Sequence, residues 1–202
     1  MKVIDTAIEG VKIIEPDRFG DSRGWFCETY NAGRYKKAGI TCDFVQDNES
    51  FSHKGVIRGL HWQAPPHTQA KLVRVIKGAA WDVVDDIRKG SPTFGQHVAC
   101  YLYAEDSEYA KQLSAHHQPL AANCQFFIPR GFAHGFIVLE DCTLLSYKCD
   151  NLYCPSADRG LRFDDPALSI VWPDLGVTLT LSEKDKKNPL LDSIEPWIDS
   201  PR

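Results

Sequence analysis

KLVRVIKGAAWDVVDDI, residues Lys71–Ile87, divides at Gly78 into two short runs rich in apolar residues. Each run is shorter than a typical helix, carries β-branched residues and ends at a breaker, so Lys71–Lys77 and Ala79–Ile87 read as strands joined by a tight turn. The same texture extends outward. His97–Tyr103, Phe126–Pro129, Gly135–Leu139 and Thr143–Lys148 read as further strands, with Gly90-Ser91-Pro92 as another turn. Many short strands at even spacing predict an all-β sandwich or barrel. Helical signals are sparse. Ala32–Ala38 predicts a short helix ended by Gly39, and Ser182-Glu183-Lys184-Asp185 has the S-x-x-D form of a helix start before Pro189. Ser107–Asn123 is polar, contains His116-His117, and reads as a loop or irregular insertion.

The bulk numbers narrow the function. With 202 residues, an all-β chain is expected to form a single domain, 1–202, with N- and C-terminal arms. A net charge of -4 argues against a broadly basic nucleic-acid surface, so an anionic ligand needs a locally basic pocket. No run approaches the roughly 18 apolar residues of a membrane span, and the N-terminus lacks the apolar core of a signal peptide. The expectation is a cytoplasmic protein without membrane or nucleic-acid partners. Seven scattered cysteines include no C-x-x-C pair, so they read as buried or incidental thiols rather than zinc or redox ligands.

His61, in RGLHWQ (Arg58–Gln63), is the first candidate for chemistry. On a strand it shares a face with Gln63, while Leu60 and Trp62 take the other. Leu60 and Trp62 can therefore pack into a layer while His61 faces a cavity, where it suits general base catalysis near neutral pH. The residue also reads as an ordinary satisfied histidine. His134 shares a face with Phe136 and Val138. Lys71 opens a strand and suits an oxyanion contact, or snorkels at the strand end. Tyr147, on the face of Leu145, can pack or act as a general acid. Tyr153, near Pro155, can pack or stack on a base. Asp185 reads first as a helix-capping carboxylate. A metal site is disfavoured, because Gln63 occupies the place where an H-x-H pair would need a second histidine, and Gln is a poor ligand for zinc or iron. No Gly-rich dinucleotide loop, P-loop or nucleophile elbow is present.

Seven stretches together resemble the dTDP-4-dehydrorhamnose 3,5-epimerase family of the cupin superfamily. They are FGDSRGWFCETYN (Phe19–Asn31), VQDNES (Val45–Ser50), GVIRGLHWQ (Gly55–Gln63), AKLVRVIKG (Ala70–Gly78), IRKGSPTFGQ (Ile87–Gln96), IPRGFAHGFIVL (Ile128–Leu139) and LSEKD (Leu181–Asp185). The resemblance implies a cupin-type jelly-roll, a homodimer, no cofactor and a dTDP-linked 4-keto sugar as substrate. It implies His61 as base, Asp185 as its orienting carboxylate, Tyr147 as acid and Lys71 as the contact to the sugar oxygen. It implies ligand contacts at Arg23, Glu28, Gln46, Asp47, Asn48, Arg58, His134, Tyr153, Asp158 and Lys184, with Asp158 standing where a Glu is usual. Arg23, Arg58 and Lys184 supply diphosphate contacts in that reading. A single 3- or 5-epimerase, a 3,4-ketoisomerase and a non-catalytic or metal-binding cupin are the alternatives. His61, Tyr147, Lys71 and Asp185 occurring together argue against the last.

Two features depart from the pattern. Tyr103–Gln125 is longer than the family's usual connection. Strict alternation also sends Arg58 and His61 to opposite faces, so if both line one site the strand must bulge near Gly59.

Overall fold

The computed structural model describes residues 1–113 and 120–195. Its strands are β1 (Lys2–Asp5), β2 (Lys12–Glu15), β3 (Arg18–Asp21), β4 (Gly24–Cys27), β5 (Gln46–Ser52), β6 (Ile57–Gln63) and β7 (Lys71–Lys77). They continue as β8 (Ala79–Asp86), β9 (His97–Tyr103), β10 (Gln125–Ile128), β11 (Phe132–Val138), β12 (Thr143–Cys149) and β13 (Asp158–Gly160). Two short helices, α1 (Ala32–Lys37) and α2 (Glu108–Leu113), and three single 3-10 turns accompany them. One sheet has the order β1-β2-β10-β7-β12-β5 and the other β13-β6-β11-β8-β9, with antiparallel pairing throughout. This is the expected all-β, cupin-type sandwich. The β3–β4 hairpin joins neither sheet.

The inner layer draws Val73, Val75, Phe126 and Leu145 from the six-stranded sheet against Val84, Leu102, Phe136 and Val138 from the five-stranded one. Burial of such side chains is worth about 1.5–3 kcal/mol each and drives the two sheets together. The five-stranded sheet is also covered outside, where Leu60, Trp62, Trp81 and Ile137 meet Leu161, Leu168 and Leu191 of the C-terminal arm. β8 and β11 are thus buried on both faces, which explains why their sequences read as runs rather than alternations. α1 and the residues after it, through Tyr35 and Ile40, cover Ile14, Leu72 and Phe127 on the other sheet.

α1 forms where expected. Asn31 caps it by accepting the Arg34 amide at 3.1 Å, and Gly39 leaves the helix at φ +84°. The segment Ser107–Asn123, read as irregular, contains α2. Ser107 Oγ accepts the Ala110 amide at 3.1 Å and donates to Glu140 Oε2 at 2.6 Å. A carboxylate distant in sequence thus completes the helix start, a partner that local pattern does not reveal. The expected pair His116-His117 lies outside the described residues.

Asp85 lies on the outer face of β8, with Trp81 and Val83, and has no exposure. Neither carboxyl oxygen has a hydrogen-bond partner among the described residues. Burial, and then the nearby Asp165, push its pKa well above the ordinary carboxylate value. The folded chain therefore keeps this proton to a higher pH than the unfolded chain does. Stability falls by about 1 kcal/mol per pH unit between those two points. We predict that Asp85→Asn flattens this decline and unfolds at higher denaturant concentration than the wild type at pH 8. A parallel pH dependence in the two proteins would show Asp85 to be ionised in the fold.

Candidate active site

β6 carries the histidine, and its geometry answers the question of facing. From Arg58 to His61 the strand opposes Phe136 to His134 on β11, so β6 holds one residue more than its partner. Gly59, at φ +118°, absorbs that residue. A Cβ there would lie 2.5 Å from Gly135 Cα, so only glycine permits the approach. The bulge turns Arg58 and His61 into one cavity, while Leu60 and Trp62 stay in the outer apolar layer. Gln63 is buried and sits beside His61 on a neighbouring cavity wall.

His61 Nε2 donates to Asp185 Oδ1 at 2.5 Å. This leaves the lone pair on Nδ1, the nitrogen able to take a proton. Asp185 opens a single 3-10 turn, Asp185–Lys187, and its amide is satisfied by Ser182 Oγ at 3.0 Å. The serine therefore caps and the aspartate is free for His61. Burial raises the Asp185 pKa, but hydrogen bonds from His61, Ser182 and the Gly59 amide, with the His61 charge, bring it below the ordinary value. Asp185 thus remains an anion behind the imidazole.

The facing sheet supplies the other groups. Lys71 on β7 is a register partner of Cys149 on β12, and its ammonium makes no hydrogen bond or ion pair among the described residues. Burial pushes its ammonium pKa down, against Cys149, Asp82 and Asp158, which push it up. Tyr147, two residues before Cys149, has its phenol pKa raised chiefly by burial, so it keeps its proton. On β11, His134 Nε2 donates to Asp82 at 2.9 and 3.0 Å.

Arg58, His61, Lys71, His134, Tyr147 and Asp185 line one cavity of about 570 Å³. Gln46, Asn48, Tyr153 and Asp158 line a second of about 350 Å³, which shares His61, Lys71, Tyr147 and Lys184 with the first. The two form one cleft with an acid–base end and a polar, aromatic end. In the latter, Gln46 Oε1 accepts the Tyr153 amide at 2.9 Å, and Asp158 accepts both the Tyr153 hydroxyl and Lys184 Nζ. Three of the expected ligand contacts stand elsewhere. Arg23 is paired with Asp21 in the exposed hairpin, Glu28 with Arg34, and Asp47 with Lys148. Sequence reading missed Asp82; its signal is a charged residue inside the apolar strand run AAWDVV. Among the described residues no group of three or more His, Cys, Asp or Glu is placed to hold a metal ion.

A cupin-type sandwich with a carboxylate-backed imidazole, a lysine and a protonated tyrosine around one cleft is equipped for acid–base chemistry. The sequence model of the family described as dTDP-4-dehydrorhamnose 3,5-epimerase matches residues 5–193. The chain belongs to that family, whose members are isomerases acting on carbohydrates. A relative of that name from Salmonella typhimurium is 44% identical over 193 residues, covering 95% of this chain and 96% of the relative. One from Methanothermobacter thermautotrophicus is 42% identical over 186 residues, covering 92% and 91%. The crystal structure of dTDP-6-deoxy-D-glucose-3,5-epimerase from Legionella pneumophila, in complex with dTDP-4-keto-L-rhamnose, superposes with a TM-score of 0.86 at 44% identity, covering 98% of this chain and 99% of that one. A 3'-monoepimerase from Streptomyces bikiniensis in complex with dTDP-quinovose gives a TM-score of 0.80 at 32% identity, covering 93% and 87%.

The Asp185 geometry has a kinetic consequence. Asp185→Asn keeps the side-chain shape but withdraws the charge that favours the imidazolium. Turnover should fall by about 10²- to 10⁴-fold with little change in unfolding midpoint. Near-normal turnover would remove Asp185 from the reaction.

Proposed function

We propose that the enzyme inverts C3 and C5 of a dTDP-linked 4-keto-6-deoxyhexose, in rhamnose-type deoxysugar biosynthesis. A proton next to a ketone is only weakly acidic, so its removal needs a base and a stabilised enolate oxygen. His61 Nδ1 takes the proton, and Asp185 stabilises the imidazolium that results. The Lys71 ammonium faces the C4 oxygen as negative charge develops. Tyr147 delivers a proton to the opposite face of the same carbon, which inverts it. The observation that carries this reading is the origin of the two groups: His61 comes from the five-stranded sheet and Tyr147 from the six-stranded one, across a shared cavity. A base and an acid on opposing walls suit inversion, whereas groups on one wall would return the proton to its original face. Arg58 and Lys184 supply charge for a diphosphate, and Tyr153 supplies a face for the nucleobase.

The test is turnover of dTDP-4-keto-6-deoxyglucose in deuterated water, read by NMR. The expected result is deuterium at both C3 and C5 with formation of the doubly inverted sugar. His61→Ala should abolish exchange at both carbons while dTDP still binds. Tyr147→Phe should retain exchange but lose inversion about tenfold or more. Exchange at C3 alone would instead give the monoepimerase reaction, and unaltered inversion in Tyr147→Phe would exclude it as the acid.

The working unit is proposed to be a homodimer in the cytoplasm. Phe19, Trp25 and Phe26 expose half or more of their surface on a hairpin that belongs to neither sheet. Such a cluster is the kind of surface a second chain covers. The hairpin also carries Arg23, a proposed ligand contact that its own cleft does not receive. All seven cysteines are free thiols, which suits a reducing compartment. No helix among the described residues is long and apolar enough to cross a membrane. Sedimentation of the purified chain should give twice the chain mass, and Phe26→Asp should shift it toward the monomer. A wild type that sediments as a monomer at micromolar concentration would end this part of the proposal.

A further inference from the structure

Asp82 is a fully buried carboxylate that the reaction above leaves without a task. It stands on β8, turned into the sandwich with Ala80 and Val84, opposite Phe136 on β11 and Cys100 on β9. Both of its oxygens engage Nε2 of His134, and among the described residues it has no other hydrogen bond. The imidazole lines the catalytic cavity. Lys71 lines the same cavity and has no ion-pair partner there. An ammonium half-sheltered in protein needs a countercharge to stay protonated.

We infer that Asp82 is a positioning residue for the epimerisation: it fixes the His134 proton on Nε2, so that Nδ1 accepts a hydrogen bond from a sugar hydroxyl, and it holds the anionic charge that keeps Lys71 protonated beneath the enolate oxygen. The inference rests on the proposed function for its consequences in turnover, but the geometry of the His134–Asp82 pair stands by itself. Burial pushes the His134 pKa down, against the pull of Asp82, so the imidazole is neutral. A neutral imidazole that donates from Nε2 has its lone pair on Nδ1. Burial holds the Asp82 pKa above the ordinary carboxylate value, with His134 and then Lys71 opposing the shift. The charged and titratable groups around Lys71 are Cys149 on β12, Asp82 on β8 and Asp158 on β13. Those around Asp82 are His134 on β11 and Lys71 on β7, with the Cys100 thiol on β9. The cysteines have raised pKa values and are neutral near pH 7. Burial raises the Tyr147 pKa and lowers that of Lys71, so the two shifts bring the loss of the Lys71 proton toward lower pH and that of Tyr147 toward higher.

Two measurements test this. Histidine nitrogen NMR of the ¹⁵N-labelled wild type, with His134 assigned by loss of its signals in His134→Gln, should show the neutral Nε2-protonated tautomer from about pH 6 to 9. An Nδ1-protonated ring or an imidazolium would overturn the inference. Asp82→Asn should lower kcat about 10- to 100-fold with KM little changed, and should move the basic limb of the kcat profile about one unit toward lower pH. A lowered kcat with that limb unmoved would mean a purely structural role and overturn the inference. A wild type inactive on dTDP sugars would remove the proposed function instead, while the tautomer measurement would still decide the state of His134.

Discussion

The closeness of β6 and β11 at Gly59 and Gly135 is the constraint on which the site depends. A side chain at either position would meet backbone of the other strand, at 2.5 Å for Gly59 and 2.9 Å for Gly135. Real Cβ atoms do not approach so closely, so both positions are restricted to glycine by space alone. The approach accommodates the extra residue on β6, and that residue sets the facing of everything around it. Without it, a strict period of two would place Arg58 with Leu60 and Trp62 in the apolar outer layer. With it, one strand buries two large side chains on one side and presents a cation and an imidazole on the other. His134, directly opposite His61 on β11, is fixed by the same contact.

Carboxylates of one chemical type behave in opposite ways here, and their partners explain the difference. Asp185 is largely buried but receives hydrogen bonds from His61, Ser182 and the Gly59 amide, and is held anionic. Asp86, with Arg88, Ser91 and Thr93 all bonded to it, is drawn down to about 2. Asp85, beside Asp86 in sequence, has no donor and keeps its proton. Burial alone therefore predicts the wrong sign for two of the three. Asp185 and Asp85 also oppose one another in their effect on folding. The first favours the fold above its depressed pKa and loses that contribution as pH falls, whereas the second weakens the fold as pH rises. The carboxylate behind His61 belongs to the class whose charge folding stabilises.

The sandwich was legible in the sequence because its central strands are apolar runs punctuated by glycine and proline. β7 through β12 fall within a few residues of the runs read from composition. The edges were not. β5, with the sequence QDNESFS, is a polar edge strand whose pairing to β12 comes from tertiary contact, and β3 and β4 form an exposed hairpin outside both sheets. The resemblance to a family named the groups around the cleft, and its motifs led to His61, Lys71, Tyr147 and Asp185 before any geometry. Residue pattern alone misassigned Asp185 to capping, because S-x-x-D does not say whether the serine or the aspartate does the capping. Here Ser182 does it, which is visible only once Asp185 is seen to face β6 from 124 residues away. The bulge at Gly59 was inferred from a conflict between two requirements, a case in which a broken local rule marks a functional position.

That long separation raises the question of what keeps the C-terminal arm in place, and magnitudes give the answer. The His61–Asp185 bond joins a partly exposed imidazole to a buried carboxylate, and one hydrogen bond to a charged group contributes about 1.5–3 kcal/mol. Leu161, Leu168 and Leu191 are each nine-tenths or more buried against the five-stranded sheet. At about 1.5–3 kcal/mol apiece, those three contacts together exceed the polar one. Backbone bonds add to them: Leu60 and Leu161 exchange amide and carbonyl groups at 3.2 and 2.9 Å. Docking of the arm is therefore an apolar and backbone event, and the aspartate is delivered by it rather than causing it. Leu60 takes part in that docking one residue from His61. The strand that presents His61 is thus the strand that anchors Asp185, and the pair is assembled by packing on the face turned away from the cavity.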